Sequence, residues 1–207
     1  MYKSKLPRKI VPVDLLPTVN VLLILVMLAI DGRPRRQLPI YINPPLASSN
    51  LMVDFDGVVA TILIAQGKVM LELPDTRLRE QALKQMSIKY GISFSPAEIS
   101  KFGTTDVIGT PVRELKRYIK NYYNRQEYYA QTGIKIDTVS NELFNWLYTA
   151  RKAYAADHGM PLGISIEADR NTSYALIKQV ISILQSQKIN KLTLITLVTS
   201  SKYTDYE

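Results

Sequence analysis

Four residues near the N-terminus carry the chemistry that the first third of the chain offers: Asp14, Pro17, Thr18 and Asn20. They stand at the head of residues 15–30, a run with no charged side chain. Asn20 is the polar residue out of place in it. A neutral amide inside an apolar helix is costly unless it faces a protein partner or water, so a helix carrying one is not built to work alone. Asp14 stands where an N-cap would stand, and Pro17 falls in the first turn, where its missing N–H costs least. A second group, Arg117, Tyr118, Tyr122, Tyr123 and Arg125, interleaves cations with phenol rings. That mixture suits single-stranded nucleic acid, but no stacking motif of a known module accompanies it. A half-buried helix with wetted hydroxyls and a partner-facing rim is the favoured reading, and nucleic acid is not an expected partner.

Other chemistry is scarce. The chain has no cysteine and one histidine, His158, so a zinc site is not expected. No glycine-rich phosphate loop and no Ser/His/Asp pattern occurs. The protein reads as a non-enzyme that needs no cofactor. A net charge of +8 is spread along the chain, and four of the basic residues, Lys3, Lys5, Arg8 and Lys9, precede the apolar run, where anionic headgroups account for them.

The elements that must position these residues follow from periodicity. Residues 15–30 make roughly 24 Å of helix, and residues 10–14 extend it toward the roughly 30 Å of a bilayer core. No small-residue cleavage site follows, so an uncleaved anchor over 14–31 is expected, behind a tail at 1–13 that the basic residues hold in the cytoplasm. Asp31-Gly32-Arg33-Pro34 stops it. Residues 32–50, with Pro34, Pro39, Pro44 and Pro45, read as a stiff linker, and 38–42 as a short extended piece. Residues 51–207 form one domain with its own core.

Within it, 58–73 reads as a β-hairpin turning at Gln66-Gly67, and 76–90 as a helix with Leu78, Ala82, Met86 and Ile88 inward, stopped by Gly91. A short helix is expected at 96–102 and one long helix at 111–129, with Val112, Leu115, Ile119 and Tyr122 on its apolar face. A further helix at 140–155 puts Leu143, Trp146, Leu147 and Ala150 inward. The last segment is a strand at 162–168, a turn at Asp169-Arg170-Asn171, a helix capped by Ser173 and a strand at 191–198. The fold class is one transmembrane helix followed by an α+β domain, with helices packed on one face of a small mixed sheet.

Two stretches carry a resemblance. Residues 14–23, Asp-Leu-Leu-Pro-Thr-Val-Asn-Val-Leu-Leu, and residues 164–196, from Ile-Ser-Ile-Glu-Ala-Asp through Tyr174 and its helix to the final strand, resemble the ExbD/TolR family of biopolymer transport proteins. The hairpin at 58–73 fits as well. The resemblance implies a periplasmic α+β domain on a single inner-membrane anchor. It also implies an ExbB-like pore ring around the helix, a second ExbD-like subunit beside it, a TonB-like protein receiving force, and membrane lipid around the whole. The family carries its protons on a carboxylate in the anchor. The matching position here is Asn20, which cannot titrate. Asp14 is no replacement, being about 9 Å lower on an ideal helix and rotated by about 120°. The expectation is a non-protonatable partner of an Asp-bearing paralogue. The alternatives are a TolR-like or stator-like anchor that grips peptidoglycan, and an anchored adaptor without a proton role. Residues 91–138 look like a helical insertion without counterpart in the family, dispensable for membrane assembly but not for partner choice.

Overall fold

The computed structural model describes residues 16–31, 37–47, 59–121, 124–137 and 140–198. The chain divides into two compact units, 1–37 and 38–207.

The first unit contributes α1, Leu16–Asp31. Val19, Leu22 and Met27 are 56%, 63% and 65% exposed, and Val21, Leu23, Ile24 and Leu25 are exposed too. Among the described residues no helix is long and apolar enough to cross a membrane. Residues 10–15, which would lengthen α1, lie outside those described.

In the second unit, β1 (Leu46–Ala47) precedes the hairpin of β2 (Val59–Ala65) and β3 (Lys68–Glu72). Gln66 and Gly67, at φ 55° and 72°, supply two successive left-handed residues, which a two-residue hairpin turn needs to match strand twist. The helix α2 (Thr76–Tyr90) starts on Asp75, whose carboxylate accepts from the Leu78 N–H at 3.0 Å, and ends on left-handed Gly91. It buries Leu78, Ala82, Leu83 and Met86. Ile88, expected inward, is 76% exposed, because two residues beyond Met86 lies off the buried stripe. A capping box, Ser95 with Glu98, opens α3 (Pro96–Gly103).

Next come β4 (Val107–Ile108), α4 (Leu115–Lys120), α5 (Arg125–Tyr129), α6 (Glu142–His158), β5 (Gly163–Ala168), α7 (Tyr174–Ser186), β6 (Thr193–Ile195) and β7 (Leu197–Val198). The five-stranded sheet runs β4-β3-β2-β5-β6, antiparallel among the first three and parallel from β2 through β5 to β6. Ala60, Ile62, Ile64, Val69, Leu71, Ile164 and Ile166 point to the helices and join Leu83, Trp146, Leu147, Val180 and Leu184 in the main core. Leu63, Ala65, Met70 and Val107 occupy the opposite face and gather Ile40 there. Farther along that face Ser165 donates to the Thr61 hydroxyl at 2.9 Å.

Three expectations are corrected. The long helix at 111–129 is two short ones. Asn121 ends α4, and the Asn124 side chain accepts from the Gln126 N–H at 3.0 Å to begin α5. Asparagine competes with the helical backbone and so marks ends rather than interiors. The strand at 191–198 breaks at Thr196: β6 continues the sheet, while β7 pairs in parallel with β1. Ser173 stands at the N-cap of α7 without a side-chain capping bond. The segment 91–138, read as an insertion, packs into the domain. It supplies β4 at the sheet edge and places Phe102, Ile108, Val112, Leu115, Ile119 and Ile134 in the main core.

The linker reading of 32–50 also changes in part. The second unit begins at Leu38. Residues 38–42 form no strand, yet Ile40 is 3% exposed against the back of the sheet, with Leu38 and Ile42 beside it. Apolar burial holds this piece down, where proline content alone predicts a spacer.

Candidate functional site

The anchor motif comes first. Pro17, Thr18 and Asn20 lie on α1 with exposed side chains. Asp14 lies outside the described residues. Asn20 therefore presents a neutral donor and acceptor, with the Thr18 hydroxyl, on a helix surface that is mostly apolar.

The aromatic and basic surface is built by the two short helices. Packing of Val112, Leu115 and Ile119 into the main core fixes α4 and turns its other side outward. Arg117 stands on that outer side, 3.6 Å from Glu114 in an exposed i,i+3 pair. Tyr118 does not stand there. It is 4% exposed and belongs to the main core, one helical turn from Leu115, so it is removed from the contact surface. On α5 the Arg125 guanidinium lies 5.8 Å from the centre of the Tyr129 ring, and Tyr128 meets Tyr129 edge to face at 5.3 Å. Tyr122 and Tyr123 lie outside the described residues.

Between α4 and α5 a small cleft is lined by Thr110, Glu114, Arg117, Glu127 and Gln131. Gln131 forms its floor. Its Oε1 accepts from the Gly109 N–H at 2.8 Å and the Thr110 hydroxyl at 3.3 Å, and its Nε2 donates to the Tyr128 carbonyl at 3.1 Å. Gly109 is required there, since a Cβ would sit 2.7 Å from the Met70 sulfur.

Two carboxylates are placed by the fold: Glu142, which the sequence reading left aside, and Asp169, which it put in a turn. Glu142, 3% exposed at the start of α6, accepts from the Val112 N–H at 3.1 Å and so ties α6 to the turn before α4. Burial pushes its carboxyl above the usual range, against the pull of the Val112 N–H and the Lys135 charge. Asp169, after β5, accepts from the Asn171 N–H at 2.8 Å and the Asn43 N–H at 3.0 Å. Those two N–H groups, in that order, hold it below the usual carboxylate range, with the Arg170 charge helping. Arg170 N–H donates in turn to the Asn43 carbonyl at 2.9 Å, and Leu197 N–H to the Pro45 carbonyl at 3.0 Å. Residues 38–47 are thus strapped to the domain by Ile40, by Asp169 and by the β1–β7 pair. The Asp-turn after an alternating strand was the visible signal. Its partner, more than a hundred positions earlier, was not.

Among the described residues no group of three His, Cys, Asp or Glu side chains is arranged to hold a metal. His158 stacks on Tyr154 with ring centres 4.2 Å apart, a packing role. No protein-family model, curated protein or solved structure matches this chain.

Proposed function

We propose that this chain is a single-pass, ExbD-like subunit of an inner-membrane, proton-driven motor of the ExbB-ExbD-TonB type, and the partner in it that carries no proton. The observation that carries the reading is the closing unit of the domain. A strand ending on Ala168-Asp169, a turn, a helix opened by Tyr174 and a parallel last strand come in the order the family resemblance implies, with Ile166 opposite Leu194. A second observation supports it at the other end. A largely apolar helix carries one amide in its first half, Asn20, where the resemblance gives a proton-carrying subunit a carboxylate.

In this reading α1, extended by residues 10–15, threads a ring of ExbB-like helices beside an Asp-bearing paralogue. The N-terminus is cytoplasmic, the domain periplasmic, and force passes outward to a TonB-like protein. Asn20 hydrogen-bonds polar groups of the pore or the paired helix, on the scale of about 1 kcal/mol. It avoids the larger cost of an ionised side chain in hydrocarbon.

The test is purification from the native membrane with identification of the co-purifying subunits. An ExbB-like protein and an Asp-bearing ExbD-like protein are expected. Recovery with peptidoglycan and without an ExbB-like protein would replace this reading by the gripping anchor; recovery with neither would leave the adaptor. Asn20→Asp sharpens the test. A second acid beside the first would raise the pKa of one of them by repulsion and desolvation, and uptake driven by the motor should fall. Unchanged or faster uptake would refute the pairing.

A further inference from the structure

We infer that the cleft between α4 and α5 binds a small zwitterion, the adjacent ammonium and carboxylate of a free α-amino acid, with Glu127 taking the ammonium and Arg117 and Gln131 taking the carboxylate. The cleft lies wholly within the second unit. Its floor is fixed from several sides. Lys68 Nζ donates to the Gln131 carbonyl at 2.8 Å, and the Gly133 N–H donates to the Gly109 carbonyl at 2.7 Å. On the Gln131 side chain, Oε1 is filled by the Gly109 N–H and the Thr110 hydroxyl, and one Nε2 hydrogen goes to the Tyr128 carbonyl. The second Nε2 hydrogen meets no acceptor among the described residues, although Gln131 is 3% exposed. An amide hydrogen buried without an acceptor is costly, and an oxygen of a ligand in the cleft that Gln131 lines would relieve that cost.

Glu127 is a second unspent group. It is half-buried in the lining of the cleft, and among the described residues no cation stands within ion-pair distance of it. Arg117 is a third. Its pair with Glu114 at 3.6 Å joins two exposed side chains, so solvent keeps that pair weak and the guanidinium can turn to a better acceptor. A carboxylate is that acceptor, because two parallel N–H groups match its two oxygens. The cleft thus sets an unpaired anion beside unused donors, and one molecule with both charges side by side satisfies both. The enclosed volume is about 60 Å³, well under the roughly 300–1,000 Å³ of a site for a drug-sized molecule. Ala130 and Thr132 stand exposed at the rim, so the ligand's own side chain points to solvent and the head group is what is held. The interior of a polypeptide does not carry the two end groups on one carbon, which favours a free amino acid over a protein segment.

The test titrates glycine and L-alanine into the full chain in detergent by calorimetry, with acetate and methylammonium as probes that carry one charge each. A head group of about five heavy atoms on a preformed site should bind with a Kd on the order of 1 mM, and the two amino acids should bind alike. Acetate and methylammonium should each bind about tenfold more weakly or worse. Glu127→Gln and Arg117→Gln should each weaken glycine binding by about tenfold to a hundredfold, the scale of a hydrogen bond to a charged group. Glu127→Asp should keep part of the affinity. Arg113→Gln removes the same charge as Arg117→Gln at an exposed position outside the cleft and should leave binding unchanged. Trp146 emission and the urea midpoint certify the fold of each variant. Absence of glycine binding at concentrations tens of times higher would overturn the inference, and so would acetate binding as tightly as glycine. Arg113→Gln weakening glycine as much as Arg117→Gln would reduce the effect to net charge and refute the site.

Discussion

Replacing Phe102 by Ala tests whether the segment 91–138 is part of the core. Phe102 lies on α3, is 1% exposed, and stacks on Trp146 of α6 with ring centres 5.8 Å apart and planes 20° from parallel. Truncating a fully buried Phe costs about 3–5 kcal/mol, from lost transfer energy and the cavity left behind. A domain of this size is stable by about 5–15 kcal/mol, so the loss is a large fraction of the whole. At about 2–4 °C per kcal/mol, Tm should fall by roughly 6–20 °C. The assay is direct because Trp146 is the single tryptophan of the chain, so its emission reports this contact in the full-length protein. In detergent, Phe102→Ala should lower the urea midpoint and shift native emission to the red, while Phe102→Leu should recover much of the loss. Deletion of 91–138 should leave no cooperative transition. A midpoint and emission unchanged in Phe102→Ala, or a cooperatively folded deletion variant, would refute the packing argument.

Three further outcomes are expected. Asp169 has its carboxyl held down by the Asn171 and Asn43 N–H groups, so its contribution is present above the ordinary Asp value and is lost as pH falls through the lowered one. Residues 38–47 should become more open to proteolysis in acid, and Asp169→Ala should reproduce this at neutral pH; equal cleavage in both proteins would argue against the strap. Glu142 runs the other way. Its raised folded pKa means that the native state binds the proton more tightly, so its contribution weakens as pH rises from the ordinary Glu value through the raised one. Glu142→Gln keeps an acceptor for the Val112 N–H and should flatten that slope in urea midpoints taken across pH, whereas Glu142→Leu should destabilise by about 1–3 kcal/mol through the unpaired N–H. Gln66 sits at φ 55° in the hairpin turn, where Asn and Gly are favoured. Gln66→Asn should raise stability by up to about 1 kcal/mol, and a lower urea midpoint would contradict the turn assignment.

The sequence by itself determined what short-range physics controls. The hairpin at 59–72 and the helix at 76–90 were legible because a two-residue turn, an Asp cap and a terminal Gly act within a few positions. The inward face of α6 was legible too, since Leu143, Trp146, Leu147 and Ala150 repeat at helical spacing and are all fully buried. Tertiary structure alone decided the rest. Ile134, Val180 and Leu184, far apart along the chain, meet Leu115 and Tyr118 in one core, which no local period can report. Ile40 and Asn43 are strapped down by partners at Met70 and Asp169, and Glu142 is buried by a turn thirty residues before it. Those contacts are chosen by how the sheet orders its strands, β4-β3-β2-β5-β6, and strand order is a property of the whole chain's packing rather than of any window along it.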